Sequence, residues 1–190
     1  MNKKTTSYWL ILVLLSFIWG SSFILMKKSL LVFNFLEVAC LRLIIAFIIL
    51  SPFLLNSMRK IKTRHLRPLL VVSIIGTVIP AILFALSQTY LDSAISGILN
   101  SLTPILTLIT GIIWFQKKWT KSNLLGIMIG LLGSYILLSP SQANMQNIEY
   151  SIWIILATLC YAISINTIKA QLHDLFPMDI AVVSSFFAFI

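Results

Sequence analysis

Hydrophobic positions in this chain come in long unbroken runs. They show neither the charge on every turn of a surface helix nor the alternation of a half-buried strand. Uncharged stretches cover residues 5–26, 68–91, 93–116, 122–148 and 150–168. The run over 43–58 is shorter, and its helix is expected to begin near Phe35 and to carry Arg42 inside it. A last run, 180–190, reaches the end of the sequence. A helix needs about 20 apolar residues to cross the hydrocarbon core of a bilayer. The short alternating segments of a membrane barrel are absent. The pattern predicts helices over residues 8–26, 35–55, 68–91, 93–115, 122–139 and 150–168, with a partial one from Met178. Their ends carry suitable punctuation: Pro52 near the end of the second, Pro68 opening the third, Asp92-Ser93 capping the fourth, Pro140 after the fifth. The expected fold is an all-α polytopic membrane protein with about six complete transmembrane helices and a partial seventh.

Composition agrees. Only 10% of the residues are charged, against about a quarter in soluble domains, too few to cover a water-facing surface. The net charge of +9 is read as cations in short loops. Nucleic acid is not an expected partner, because no basic patch is interleaved with a soluble fold. Lys3, Lys4, Arg59, Lys60, Lys62, Arg64, Arg67, Lys117, Lys118, Lys121 and Lys169 fall on one side, and only Lys27 and Lys28 on the other. That asymmetry places the N-terminus in the cytoplasm of a cell membrane and residues 140–149 outside. The opening MNKKTTSYWLILVLLSFIWG has an apolar stretch too long for a signal peptide and no cleavage pattern before Lys27, so it reads as a retained helix.

An internal repeat appears at an offset of 142 residues, where 8–48 align without gaps on 150–190. Tyr8 matches Tyr150, Ser22 matches Ser164, Lys27 matches Lys169, and Ala46-Phe47-Ile48 matches Ala188-Phe189-Ile190. Glu37/Asp179 and Trp19/Tyr161 are conservative pairs. Five helices separate the copies, so the second enters the membrane from the opposite side, a device of alternating-access transporters. The expected units are a five-helix repeat over residues 1–140 and the start of a second, inverted repeat over 141–190. A second unit equal to the first would need more helices, so the chain is expected to be a fragment or a prematurely terminated reading frame.

Polar residues inside the runs are the candidate site. On the fourth helix Ser93, Ser96, Asn100, Thr103, Thr107 and Thr110 share one face. Such a stripe faces either protein or a water-filled cavity. Both readings are open, since Ser and Thr also pack between helices; the larger amide of Asn100 favours the cavity. Pro104 breaks the backbone ladder beside it. Gln88 lies near the outer end of the third helix. The first helix offers Ser16 and Trp19, and its repeat mate Tyr161, with aromatic packing as the alternative. Arg42 stands alone as an intramembrane charge, a placement that costs about 2.5–3.5 kcal/mol at the bilayer centre. It is either functional or an anchor snorkelling to the outer end of its helix, about 10 Å away. Gly126, Gly130 and Ser134 form a small-residue ridge suited to close packing in the bundle or across a dimer. Cys40 and Cys160 are isolated, and His65 and His173 have no partner at metal-ligand spacing. The five acids, Glu37, Asp92, Glu149, Asp174 and Asp179, all lie near membrane boundaries. No catalytic constellation is present, so neither enzyme activity, a metal nor a cofactor is expected.

These residues resemble the EamA-type branch of the drug/metabolite transporter superfamily. The resemblance rests on WGSSF in the first helix, the basic pair after it, an acid and LR in the second, ALSQTYLDSAISGILNSLTPILTLI across the third and fourth, LLGIMIGLLGSYILL in the fifth and CYAISINTIKA in the sixth. It covers essentially the whole chain. It implies ten helices in two inverted five-helix repeats around a central cavity, both termini inside, and export or exchange of small metabolites such as amino acids. The family commonly has a glutamate after the fourth helix, where this chain has Gln116. The expected function is a small-molecule permease working by alternating access, in a truncated form; the alternative is a non-transporting membrane subunit that assembles with another chain. Expected partners are membrane lipid, a small-molecule substrate and a second chain or homodimer. No nucleotide site is apparent, so transport is expected to be driven by a gradient or by exchange.

Overall fold

The computed structural model describes residues 3–116, 120–137 and 147–190, and every regular element among them is helical. Seven helical segments follow the hydrophobic runs: α1 (Lys3–Ser29), α2 (Phe35–Met58), α3 (Thr63–Tyr90), α4 (Ser93–Phe115), α5 (Lys121–Leu137), α6 (Ser151–Gln171) and α7 (Pro177–Phe189). Tyr8–Ser29 of α1, and α2, α3, α4 and α6, are long and apolar enough to cross a membrane; α7 and the described part of α5 are shorter apolar helices. The chain is an all-α polytopic membrane protein. Pro140, most of the fifth loop, Lys117 and Lys118 lie outside the described residues.

Local chemistry sets the irregularities. The side chain of Asn34 accepts from Glu37 N–H at 2.9 Å and Glu37 accepts from Asn34 N–H at 2.8 Å, a reciprocal cap that starts α2. Pro52 turns its end through a tight 3-10 segment, Ser51–Phe53, after which Leu54–Met58 is helical again. The third helix starts at Thr63, five residues before the expected Pro68. His65 Nδ1 accepts the Lys62 N–H at 3.2 Å, and that cap supports a polar first turn which hydropathy cannot reveal. In mid-membrane, Pro80 lacks the N–H that an α ladder would aim at the Gly76 carbonyl. The backbone widens there into a π turn, Ile74–Val78, with Ile79 N–H bonded to Ile74 O. In α4, Pro104 likewise orphans the Asn100 carbonyl. The Thr103 hydroxyl takes its place at 2.7 Å, and the helix is divided into Ser93–Asn100 and Thr103–Phe115.

The core lies around α6, which packs against α3 and α4, while α7 packs on α2 and the first half of α3. One buried cluster gathers Met26, Val38, Ala39, Ala81, Phe84, Ala85, Ile154 and Ala157. A second joins Leu69 and Val72 to Leu172, Ile180 and Val183. Helix α1 is the outermost of these; Phe17, Trp19 and Leu25 are all more than 60% exposed, as suits a helix apolar all round beside lipid. The ends of α1 and α6 (Ser29, Gln171) and the starts of α2 and α7 (Phe35, Pro177) are each 142 residues apart, the offset of the sequence repeat.

Candidate functional site

Aromatic side chains from three helices meet in the middle of the bundle. The Phe84 ring stands 5.7 Å from Phe23 of α1 and 5.9 Å from Tyr161 of α6. Arg42 sits at the edge of this cluster. Its Nη1 donates to Met26 Sδ at 3.6 Å, and Met26 belongs to the same buried cluster as Phe84. Among the described residues no carboxylate pairs with it. One turn beyond Phe84 on the same face of α3, Gln88 is fully enclosed, and neither end of its amide has a hydrogen-bond partner. A buried amide in that condition is costly. Ser16 and Trp19 do not join the aromatic cluster: Trp19 is 63% exposed, and the Ser16 hydroxyl bonds to Leu12 O of its own helix at 2.9 Å.

The polar stripe of α4 is divided between uses. Ser96 is buried and bonds back to Asp92 O at 3.2 Å. Asn100 is half-buried, and its Oδ1 accepts from Thr103 at 3.3 Å. Thr107 and Thr110 bond to carbonyls one turn back, both at 2.7 Å. Asn166 of α6 reaches across with Nδ2 to Thr107 O at 2.8 Å and Thr110 Oγ1 at 2.9 Å. That end of the stripe is a helix seam. Asn166 was not singled out by sequence reasoning, because an amide near the end of an apolar run looks like a helix terminus.

Polar ties gather at the two ends of the bundle. At one end Lys27 Nζ donates to Gln88 O and Leu91 O at 2.7 and 3.0 Å, Ser87 Oγ donates to Tyr150 O at 2.8 Å, and Tyr90 stacks on Tyr150 at 3.8 Å. At the other, Asp179 accepts from Ser57 Oγ at 2.8 Å and Lys60 Nζ at 2.9 Å. Arg64 pairs with Asp174 at 2.6 Å, and His65, 1% exposed, lies 3.2 Å from the same carboxylate. Partial burial raises the Asp174 carboxyl. Its own backbone amide and the hydrogen bond and charge of Arg64 outweigh that and hold it below the ordinary range. A recess of about 340 Å³ opens here beside Lys60, Lys62, His65, Asp174 and Asp179. The sequence offered these residues only as loop cations, an isolated histidine and boundary acids, and did not group them as a site.

On α5, a Cβ at Gly126, Gly130 or Gly133 would meet no atom within 4 Å; the Ser134 side chain lies outside the described residues. No group of three His, Cys, Asp or Glu among the described residues is placed to hold a metal.

Residues 6–139 match the EamA-like transporter family. An uncharacterized transporter of Archaeoglobus fulgidus is 27% identical over 172 residues, which cover 90% of this chain and 61% of that protein. The chain therefore spans less than two thirds of the length of that relative. No solved structure matches. With most of its length matched, and with its apolar helices wrapped round a polar-edged aromatic centre, the chain belongs to the EamA-like transporter family.

Proposed function

We propose that the protein carries small organic metabolites, amino acids among the class to be tested, across the cell membrane by alternating access. The N-terminus lies in the cytoplasm, and residues 1–140 and 141–190 belong to two inverted repeats. The observation that carries this reading is the position of the polar ties. They lie at the two ends of the bundle and join residues from the first unit to residues from the second: Lys60 with Asp179, and Ser87 with Tyr150. Between them lies the aromatic cluster of Phe23, Phe84 and Tyr161. Hydrogen bonds and half-exposed ion pairs of this kind are worth about 1 kcal/mol each, weak enough to open alternately at one end or the other. Most cations lie at the end of Lys60 and Arg64, which makes that end cytoplasmic.

The test is export in a strain sensitised to toxic metabolites and amino acid analogues, with the protein expressed from its own gene. Selective resistance and lowered accumulation of at least one compound are expected. Equal accumulation of the whole panel with and without the protein, at confirmed membrane expression, overturns the reading.

A further inference from the structure

Charge and shape coincide at the end of the bundle that holds Lys60 and Arg64. Residues 59–67 carry five cations: Arg59, Lys60, Lys62, Arg64 and Arg67. Two of them are matched, Lys60 with Asp179 at 2.9 Å and Arg64 with Asp174 at 2.6 Å. Arg59, Lys62 and Arg67 are exposed and pair with no acid among the described residues. The recess of about 340 Å³ opens at the same place, between the segment after α2, the start of α3 and the junction of α6 with α7. Its lining sets Lys60 and Lys62 beside Leu175 and Phe176. A water takes about 30 Å³ in the liquid, so the recess has room for a group the size of a phosphate.

Asp174 and Asp179 also line the recess. Free carboxylates would repel an anion, but each of these already holds a cation, and Asp179 accepts from Ser57 as well, at 2.8 Å. Five cations thus stand against two carboxylates. The Lys62 side chain is not used by the cap of α3, which takes the Lys62 backbone N–H into His65 Nδ1 at 3.2 Å. The start of α3 at Thr63 adds the positive end of a helix dipole beside that lysine.

Loop cations set topology wherever they stand in a short loop; topology needs neither a recess nor an apolar lining. Phe176 decides what would fill it. The ring lines the recess and is nevertheless 69% exposed. A soluble anion would answer Lys62 and leave that ring in water. A molecule with an anionic head and apolar chains answers both, and the membrane around such a bundle supplies one. Basic pockets between membrane helices suit anionic headgroups for this reason.

We propose that this recess is a headgroup site for an anionic phospholipid, with its phosphate held by Lys62, supported by the charges of Arg59 and Arg67, and its glycerol and upper chains against Phe176. The proposal rests neither on the transport reading nor on which side of the membrane this end faces, so binding alone tests it.

The probes are dioleoyl-phosphatidylglycerol, dioleoyl-phosphatidylcholine and glycerol phosphate, the last being an anionic head without chains. Each is titrated into the purified full chain in a neutral detergent, with bound lipid read by native mass spectrometry and by the shift in thermal unfolding. Phosphatidylglycerol is expected to bind saturably and about ten-fold more tightly than phosphatidylcholine, and glycerol phosphate should fail to displace it. Lys62→Gln should weaken phosphatidylglycerol about five-fold, the share of one cation near an anionic headgroup. The triple variant Arg59→Gln/Lys62→Gln/Arg67→Gln should lose the preference altogether. Lys28→Gln removes the same charge from an exposed site at the opposite end and should change nothing. All these side chains are exposed, so the lipid-free variants should unfold at the temperature of the parent, which reports that they are folded. Equal binding of the two lipids, displacement by glycerol phosphate, equal weakening by Lys28→Gln and Lys62→Gln, or a preference that survives in the folded triple variant each overturns the proposal.

Discussion

Lys60 Nζ lies 2.9 Å from Asp179 Oδ2, so the segment after α2 is held by a residue 119 positions later in the chain. The two partners are unequally enclosed. The Asp179 side chain is 6% exposed and that of Lys60 50%, so the cost of leaving water falls mainly on the carboxylate. Removing only the lysine would strand that carboxylate with the Ser57 hydroxyl at 2.8 Å. Lys60→Met is therefore expected to lower stability by about 1–3 kcal/mol. The double variant Lys60→Met/Asp179→Leu should be less damaging than the single one, because no buried charge is left unpaired. Thermal unfolding in detergent measures both. A double variant worse than Lys60→Met would show that the pair itself stabilises the bundle.

The neighbouring pair gives a pH dependence with a definite sign. Asp174 is held below its ordinary value near 3.8. A carboxyl lowered on folding contributes stability that is fully present above its unfolded value and is lost as pH falls through the folded one. Unfolding of the unaltered protein and of Asp174→Asn should therefore differ most at neutral pH and converge below about pH 4. Arg64 is 66% exposed, so about 1 M salt should also shrink the gap at neutral pH. A gap that persists at low pH would mean that Asp174 acts through something other than its charge.

The hydropathy runs were enough to lay out the helices because lipid penalises charge over a whole span, so α1, α4 and α6 start and stop within a few residues of the uncharged runs. Boundaries held by a single hydrogen bond escaped, as with the start of α3, which depends on His65 accepting from Lys62. Arg42 and Gln88 were legible because a polar group stands out in an apolar run. The pairing of Lys60 with Asp179 was not, since nothing local brings them together. The repeat suggested like roles for Trp19 and Tyr161. Helices surround α6 and turn Tyr161 inward, whereas α1 packs chiefly along α3 and α4 and Trp19 faces out.

A close helix crossing supplies a steric test. A Cβ at Gly76 would fall on the hydroxyl and Cβ of Ser164, where α6 passes the π turn of α3. Gly76→Ala should destabilise the protein by about 1–3 kcal/mol, the usual cost of overpacking, even though alanine favours helix by about 1 kcal/mol over glycine. Ser164→Gly removes both clashing atoms and should restore most of the loss; Ser164→Ala keeps the Cβ and should not. Thermal unfolding of the four proteins decides it. A Gly76→Ala variant as stable as the parent would mean that the helices separate there at no cost.

The last prediction concerns sidedness. Lys27 bonds to carbonyls at the end of α3 and Tyr90 stacks on Tyr150, so the junctions after α1, α3 and α5 share one end of the bundle. Lys60 and Arg64 reach Asp179 and Asp174, so the junctions after α2 and α6 share the other. Charge decides which end is which. The second end holds Arg59, Lys60, Lys62, Arg64 and Arg67, the first only Lys27 and Lys28, and short basic loops stay in the cytoplasm. Lys27 is further occupied by its carbonyl partners, which leaves the outer end with little free positive charge. In a background where Cys40 and Cys160 are replaced, a cysteine at Val32, which is 80% exposed, should react in intact cells with a membrane-impermeant maleimide. One at Lys62, exposed at the opposite end, should react only after the membrane is opened. Labelling of Lys62→Cys and not Val32→Cys in intact cells would invert the topology and put the Lys60–Asp179 tie on the outer face.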